Sequence, residues 1–406
     1  MKLNQVIKMN IFAFMRKSWL IILLLIPYYA NYAKSPAYDY SAIDIVVSGG
    51  IANNDYPGAQ LLIGNKNNIL YNKSYGNFTY DEFSNPVTDE SMFDVASLTK
   101  VVATTSAIMK LYQEQRFSLS DKVSYYIPEF ANNGKEDITV LNLLLHNSGL
   151  IAFVPFYKTY SNKEDVLNAI YSIDLNYPTG AKYLYSDLNA ILLGILVERI
   201  SGMNLDEYCK QNIFLPLDMR STTFAPGEYI KEKILPTEYD SYWRNRLIQG
   251  EVHDETTAVL GGVSGNAGLF SNASDLYKLL RVILNDGKIY NASQLTLFQE
   301  KLFDPDIVNM FTKKYTDVTY ENSRALGWDT KPLQSSTRYR IPCGEKISEN
   351  CFGHTGFTGT SVWCDRDRDL IIIFLTNRVY PSRENYGIRD IRPEIHNTAI
   401  EIAANQ

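Results

Sequence analysis

Past residue 57 the chain alternates between two hydrophobic rhythms. Residues 58–64 (GAQLLIG) and 68–76 (NILYNKSYG) are short and apolar-rich, flank Asn and Lys turn residues, and so predict a hairpin. From Ser97 to about residue 115 the period lengthens: Val101, Ala103/Thr104, Ala107/Ile108 and Leu111/Tyr112 recur at helical spacing. Further helices are predicted over 138–146, ended by Asn147-Ser148-Gly149, and over 188–200, stopped by Ser201-Gly202 where a left-handed cap is preferred. Two more fall at 205–212 and at 274–285, the latter stopped by Asp286-Gly287. Residues 359–365 and 370–376 predict a second hairpin around Asp365-Arg366-Asp367-Arg368-Asp369, an alternation expected to be a solvated turn, and residues 390–404 a closing helix. Strands at both ends with helices between them predict an α+β fold. One antiparallel sheet is assembled from both chain ends and flanked by helices, with a mainly helical lobe inserted over roughly 115–270. A functional site is expected at the seam between the lobes.

The first residues follow another pattern. Arg16 and Lys17 precede an apolar run from Trp19 to Ile26, too short for the roughly 20 residues that span a bilayer. A basic flank, a short apolar core and an exit into small and polar residues predict a secretory leader over 1–33, with Ala33 as its last residue. An uncleaved anchor is the alternative. Residues 34–42 are expected to be a linker and 43–406 a single body, two-lobed because one core rarely grows past about 250–300 residues.

Composition narrows the partners. With 45% hydrophobic and 21% charged residues the chain is neither disordered nor fibrous. Its 39 basic against 45 acidic residues give a net charge of −6, which disfavours a grip on nucleic-acid phosphates. Four cysteines are too few for a disulfide scaffold, and the 4 His form no Cys/His cluster, so neither metal nor cofactor is expected. In an exported chain Cys343 and Cys351, eight apart, can form a disulfide, whereas Cys209 and Cys364 look like small buried hydrophobes. The 29 tyrosines accompany abundant Asn, Ile and Lys, a compositional bias rather than a binding code.

Three short patterns carry chemistry. In Ser97-Leu98-Thr99-Lys100, at the start of a helix, residues three apart share a face. A lysine there can have a lowered pKa and help deprotonate the serine, near the positive end of the helix dipole. The bland alternative is Ser97 as a helix cap. In Tyr185-Ser186-Asp187 a phenol at a loop-to-helix junction can act as a base, though most tyrosines pack and Asp187 would pass as a cap. In Gly353-His354-Thr355-Gly356-Phe357, glycines let backbone run close to a ligand; a lone His-Thr-Gly is otherwise a turn. His146 is expected to stabilise its own turn, His253-Asp254 to line a cleft or merely precede a Gly-rich loop, and His396 to lie on the surface.

Taken in order, the S-x-x-K, Y-x-D and H-T-G triplet resembles serine beta-lactamases and penicillin-binding proteins, in the branch of class C beta-lactamases and their non-lactamase relatives. Residues 93–100 (FDVASLTK), 143–150 (LLLHNSGL), 260–271 (LGGVSGNAGLFS) and 353–377 resemble further segments of that family, so the likeness spans roughly 45–400. It implies the beta-lactamase/transpeptidase-like fold and an acyl-enzyme mechanism. Ser97 would be the nucleophile, Lys100 and Tyr185 would share the base role, and the backbone N–H groups of Ser97 and Phe357 would form the oxyanion hole. Asp187, His354, Thr355 and Gly356 would contact substrate. His354 stands where Lys is usual and would orient a substrate carboxylate or the Tyr185 phenol, making the site more pH-sensitive. Asp187 stands where class C enzymes have Asn, which puts contact with an acylamide in doubt. The implied substrates are D-alanyl peptides of the cell wall; beta-lactams and esters are rivals, and a catalytically silent envelope binding protein is the alternative from another class. Periplasmic or secreted location follows from the leader.

Overall fold

The computed structural model of the chain describes residues 39–289, 300–315, 324–332 and 341–404. The leader expected over 1–33 lies outside them. In chain order the helices are α1 (Ser41–Ala52), α2 (Ser106–Gln113), α3 (Val123–Tyr126), α4 (Val140–Leu144), α5 (Lys163–Ser172) and α6 (Asp187–Ser201). They continue with α7 (Leu205–Cys209), α8 (Glu255–Val259), α9 (Ala273–Leu284), α10 (Pro305–Thr312) and α11 (Ile388–Ala404). The strands are β1 (Gly58–Gly64), β2 (Ile69–Gly76), β3 (Phe93–Asp94), β4 (Thr223–Phe224), β5 (Tyr239–Asp240) and β6 (Arg246–Leu247). After them come β7 (Leu269–Ser271), β8 (Cys351–Thr355), β9 (Ser361–Asp365) and β10 (Leu370–Thr376).

The main sheet is antiparallel, in the order β2-β1-β10-β9-β8, so both chain ends build it as the sequence predicts. Period-2 alternation divides β1 and β10 between two cores. Leu61, Ile63, Ile372 and Phe374 face a core closed by Ile43 and Val47 of α1 and Ile391, Ile395 and Ile400 of α11. Leu62, Ile371, Ile373 and Leu375 face the larger core with α9 and the central helices. Covered on both sides, β1 is buried throughout, which explains a continuous apolar run where a half-exposed strand would alternate. A smaller sheet, β3-β7-β4, sits at the start of the Ser97 segment.

Helix α6 is buried almost all round, from Leu188 to Val197, and ends at Gly202 with φ +76°, the left-handed cap expected there. A Cβ on Gly265 would lie 2.0 Å from the Ala190 carbonyl oxygen, so α6 and the Gly-rich loop pack backbone to backbone.

Four expectations are corrected. The helix begun at Ser97 is not one α-helix: a 3₁₀ turn (Ala96–Leu98) leads into a π-helical stretch (Lys100–Thr105) and only then into α2. Hydroxyls bond five residues back, Thr105 Oγ1 to Lys100 O at 2.7 Å and Ser106 Oγ to Val101 O at 3.1 Å, which favours the wider turn. His396 is not on the surface; it is fully buried, with Nε2 3.2 Å from Ser361 Oγ, because α11 lays that face against the sheet. Cys343 and Cys351 are free thiols, each packed as a small hydrophobe with Ile347 and Trp363. Asp365 is buried rather than solvated, accepting from Ser348 N–H and Oγ at 3.0 and 2.6 Å.

Candidate active site

β3 delivers the chain to Ser97 through Ala96, held in the left-handed region at φ +48°, a strained conformation for an alanine. The strain is held by Asp94: its Oδ1 accepts the Ala96 N–H at 2.8 Å and its Oδ2 the His253 N–H at 2.7 Å. Burial pushes the Asp94 carboxyl up, and these backbone bonds oppose the shift. Thr99 Oγ1 donates to the Ala96 carbonyl at 2.7 Å and accepts the Leu269 N–H at 3.1 Å, fastening the turn to β7.

Lys100 Nζ lies 2.9 Å from Ser97 Oγ, 2.9 Å from the Asn266 carbonyl oxygen and 2.7 Å from Asp187 Oδ1. An ammonium has three protons, and each has a partner here. The Tyr185 ring centroid is 5.1 Å from Nζ. Burial disfavours the charge on Lys100, but the Asp187 carboxylate and the Tyr185 phenol outweigh it, so the lysine pKa is raised. That corrects the expectation of a lowered value. The Tyr185 phenol is also pushed up, by desolvation, against the pull of Lys100. At rest both groups keep their protons.

Asp187 opens α6, whose cap residue is Ser186. Its carboxylate is therefore not spent on capping the helix and is placed on Lys100. His146 does more than stabilise its own turn: Nδ1 accepts the Ser186 N–H at 3.1 Å, and the ring lies 4.8 Å from that of Tyr185. The 143–150 segment thus fixes the junction that presents Tyr185.

The β8–β9 turn closes over Ser97. Thr358 Oγ1 donates to Asp94 O at 2.7 Å and Thr360 Oγ1 to Val95 O at 3.0 Å. Gly356 permits that approach, since a Cβ there would stand 2.1 Å from Thr360 Oγ1 and 2.5 Å from Val95 O. His354 is buried, its ring 5.9 Å from that of Tyr185. Its Nδ1 lies 2.8 Å from the Thr355 carbonyl, which can only accept, so that nitrogen carries the proton. Burial lowers its pKa to about 4, with Asp329 pulling up and Arg324 and Lys100 pushing down. A neutral, buried ring does not grip a substrate carboxylate, and its titration lies below neutrality, which corrects those two expectations; the expected alternative, orienting the Tyr185 phenol, keeps the ring beside that tyrosine.

A cleft of about 350 Å³ opens over Ser97, walled by Tyr185, Asp187, Phe153, Phe357 and Ala267. His253 lines it as well, its ring 5.6 Å from that of Phe357. Four participants were not singled out from sequence. Arg383 donates to Glu238 and Glu255 at 2.6 Å each, and Glu238 also meets His253 Nε2 at 2.9 Å. No local pattern marks those residues. The fourth, Asn266, acts through its backbone carbonyl, and its signal was the Gly-rich 260–271 loop, to which no role was given. Among the described residues no cluster of three or more His, Cys, Asp or Glu is arranged to hold a metal ion.

Comparison with known proteins identifies the fold and the family. The chain is 35% identical over 356 residues to the N-acetylmuramyl-L-alanine amidase of Bacillus subtilis strain 168, covering 80% of this chain and 77% of that protein. It is 33% identical over 361 residues to an Escherichia coli K12 protein named, provisionally, as a D-alanyl-D-alanine carboxypeptidase, covering 80% and 79%. Among solved structures, a class C beta-lactamase superposes with a TM-score of 0.68 at 20% identity, covering 92% of this chain and 98% of that one. The octameric penicillin-binding protein homologue from Pyrococcus abyssi gives 0.68 at 21% identity, covering 91% and 78%. Residues 43–393 match the Beta-lactamase family, and with a Ser-Lys-Tyr cluster at the floor of its cleft the chain belongs to that family of serine hydrolases.

Proposed function

We propose that this chain is an exported enzyme that hydrolyses D-alanyl peptides of the cell wall through an acyl-enzyme on Ser97. The observation that carries the reading is the 2.9 Å contact between Ser97 Oγ and Lys100 Nζ at the cleft floor. Ser97 attacks the scissile carbonyl, and the backbone N–H groups of Ser97 and Phe357 receive the oxyanion, as such donors do in acyl transfer. Lys100, in contact with Ser97 and with the Tyr185 ring beside it, handles the serine proton. Water then cleaves the ester and frees Ser97. The names of the amidase and carboxypeptidase relatives support a cell-wall substrate, and the basic-then-apolar start of the chain supports export.

One observation favours a second reading. Among the described residues lining the cleft, the cation is Arg383, and it is already shared between two glutamates. A substrate lacking a terminal carboxylate, an internal amide or an ester, suits such a cleft better than a free D-alanine end.

The test is intact-mass analysis after incubation with a fluorescent penicillin, with D-alanine release from a muramyl pentapeptide measured in parallel. A lasting adduct on the wild type, absent from Ser97→Ala, together with D-alanine release, is expected. Rapid drug turnover would make the chain a beta-lactamase. No adduct, no D-alanine and no cleavage of p-nitrophenyl esters would leave a silent binding protein.

A further inference from the structure

With its three protons on Ser97, Asn266 and Asp187, Lys100 has no lone pair free to accept the serine proton. The Tyr185 phenol, hydrogen-bonded to both Lys100 and Ser97, is pushed up by desolvation and keeps its own proton. Among the described residues the anion in direct contact with Lys100 is Asp187, whose side chain is 24% exposed against 4% for the lysine. The other charged or titratable groups around the cluster are committed elsewhere. His146 and His354 are buried and neutral, and Arg324 is paired with Asp329. On the cleft side Asp254 caps α8, and His253, Glu238, Glu255 and Arg383 hold one another.

We propose that Asp187 is the terminal proton acceptor for acylation of Ser97, receiving the serine proton by relay through Lys100. This rests on the nucleophile assignment above. As Ser97 Oγ bonds to the carbonyl carbon, its O–H bond breaks and the proton passes to Nζ, while Lys100 gives one of its own to Asp187 Oδ1. Lys100 stays an ammonium, Asp187 becomes a carboxylic acid, and the new negative charge rests on the carbonyl oxygen. Collapse of the adduct breaks the bond to the leaving group, which takes the proton back along the same path. The products are the Ser97 ester and the protonated leaving group, and deacylation repeats the cycle with water. Asp187 acts through Lys100 and is a positioning residue: it places the negative charge toward which the proton moves.

The experiment uses Asp187→Asn, which preserves side-chain size and an oxygen for Lys100. The probe is p-nitrophenyl acetate, whose leaving group departs without a proton, so the acylation rate reports activation of Ser97 alone. At pH 7 the acylation rate is expected to fall about 100-fold, within the range for general base catalysis, with KM little changed. The acid limb of the pH profile should move up by at least one unit, because Lys100, buried and without its anion, then becomes the base only after losing its own proton. Asp187→Glu should restore part of the rate and the original limb. A wild-type rate in Asp187→Asn, or a loss with the limb unmoved, overturns the relay. If that variant does not fold, a proton inventory on the wild type decides: two protons in flight give a curved dependence on deuterium fraction, and a straight line overturns the proposal. A wild type that never acylates overturns the nucleophile assignment itself, a distinguishable failure.

Discussion

Gly356→Ala tests how tightly the turn over Ser97 is fitted. The added Cβ would start 2.1 Å from Thr360 Oγ1, 2.5 Å from the Val95 carbonyl oxygen and 3.4 Å from Ala96 Cβ. To reach ordinary contact the turn has to withdraw by about 1 Å, and Thr360 loses the 3.0 Å bond to Val95 that holds it down. Phe357, the next residue, moves with it, carrying the backbone N–H assigned to the oxyanion. A misplacement of ~1 Å costs about 100-fold in rate, and loss of one oxyanion donor costs about 10²–10³-fold in kcat. The expected result is a kcat for ester hydrolysis lower by about two orders of magnitude. Stability should fall by about 1–3 kcal/mol, the usual cost of overpacking. Adding Thr360→Ala relieves the closer clash but not the one with Val95, so it should recover only part of the rate. Steady-state kinetics and urea unfolding of the three proteins measure this. A Gly356→Ala enzyme with wild-type kcat would refute the claim that the turn is fitted against Val95 and that Phe357 serves the oxyanion.

Three further outcomes follow from the same packing. Burial holds the His146, His354 and His396 rings neutral in the fold, with pKa values of about 4 for His354 and about 3 for His396. The unfolded chain protonates its histidines from about pH 6.5 downward, so their contribution is intact above that pH and is lost as the pH falls toward those values. His354 and His396 should each cost about 2 kcal/mol by pH 5, with His146 adding in the same direction, read from urea midpoints at pH 7.5 and 5; equal midpoints would count against the burial argument. Arg383→Ala strands Glu238 and Glu255, whose side chains are 4% and 6% exposed, and should lower stability by ~3 kcal/mol. Arg383→Lys should recover little, because it lacks the planar fork; a thermal midpoint unmoved in both variants would dismiss the network as structural. Gly265→Ala drives a Cβ into the Ala190 backbone at 2.0 Å, beside the Asn266 carbonyl that anchors Lys100, so penicillin labelling of Ser97 should slow. Unchanged labelling kinetics would show that the anchor tolerates displacement.

Much of this architecture was legible because the signals are local. The runs at 58–64 and 370–376 have strand length and composition, and Gly202 marks the end of α6. The order of Ser97, Lys100 and Tyr185 could be matched to a family. Helix α1 was missed: Gly49-Gly50 and five β-branched residues disguise it, and Gly50 is needed because a Cβ there would sit 2.4 Å from Tyr56 Oη. Protonation was not legible either. A sequence places Ser97 and Lys100 one turn apart, but the anion that keeps Lys100 charged arrives from the start of α6, and the carbonyl that completes its shell from a loop 166 residues away. His354 illustrates the same limit. Its motif points to a substrate contact, while its burial, decided by long-range packing, makes it a neutral ring packed beside Tyr185.

The pairing of β1 with β10 also governs when activity can appear. Ala59 is registered with Thr376 and Leu61 with Phe374, contacts made across more than 300 residues of sequence. Such long-range pairings form late and slowly, since the loop between the partners must first be closed. The turn that completes the Ser97 site lies on that late half, between β8 and β9. During synthesis, about 250 residues of chain follow Ser97 before the turn exists at all. On the proposed roles of Ser97 and Phe357, a nascent or half-threaded chain carries the serine without its oxyanion partner until the two ends have met.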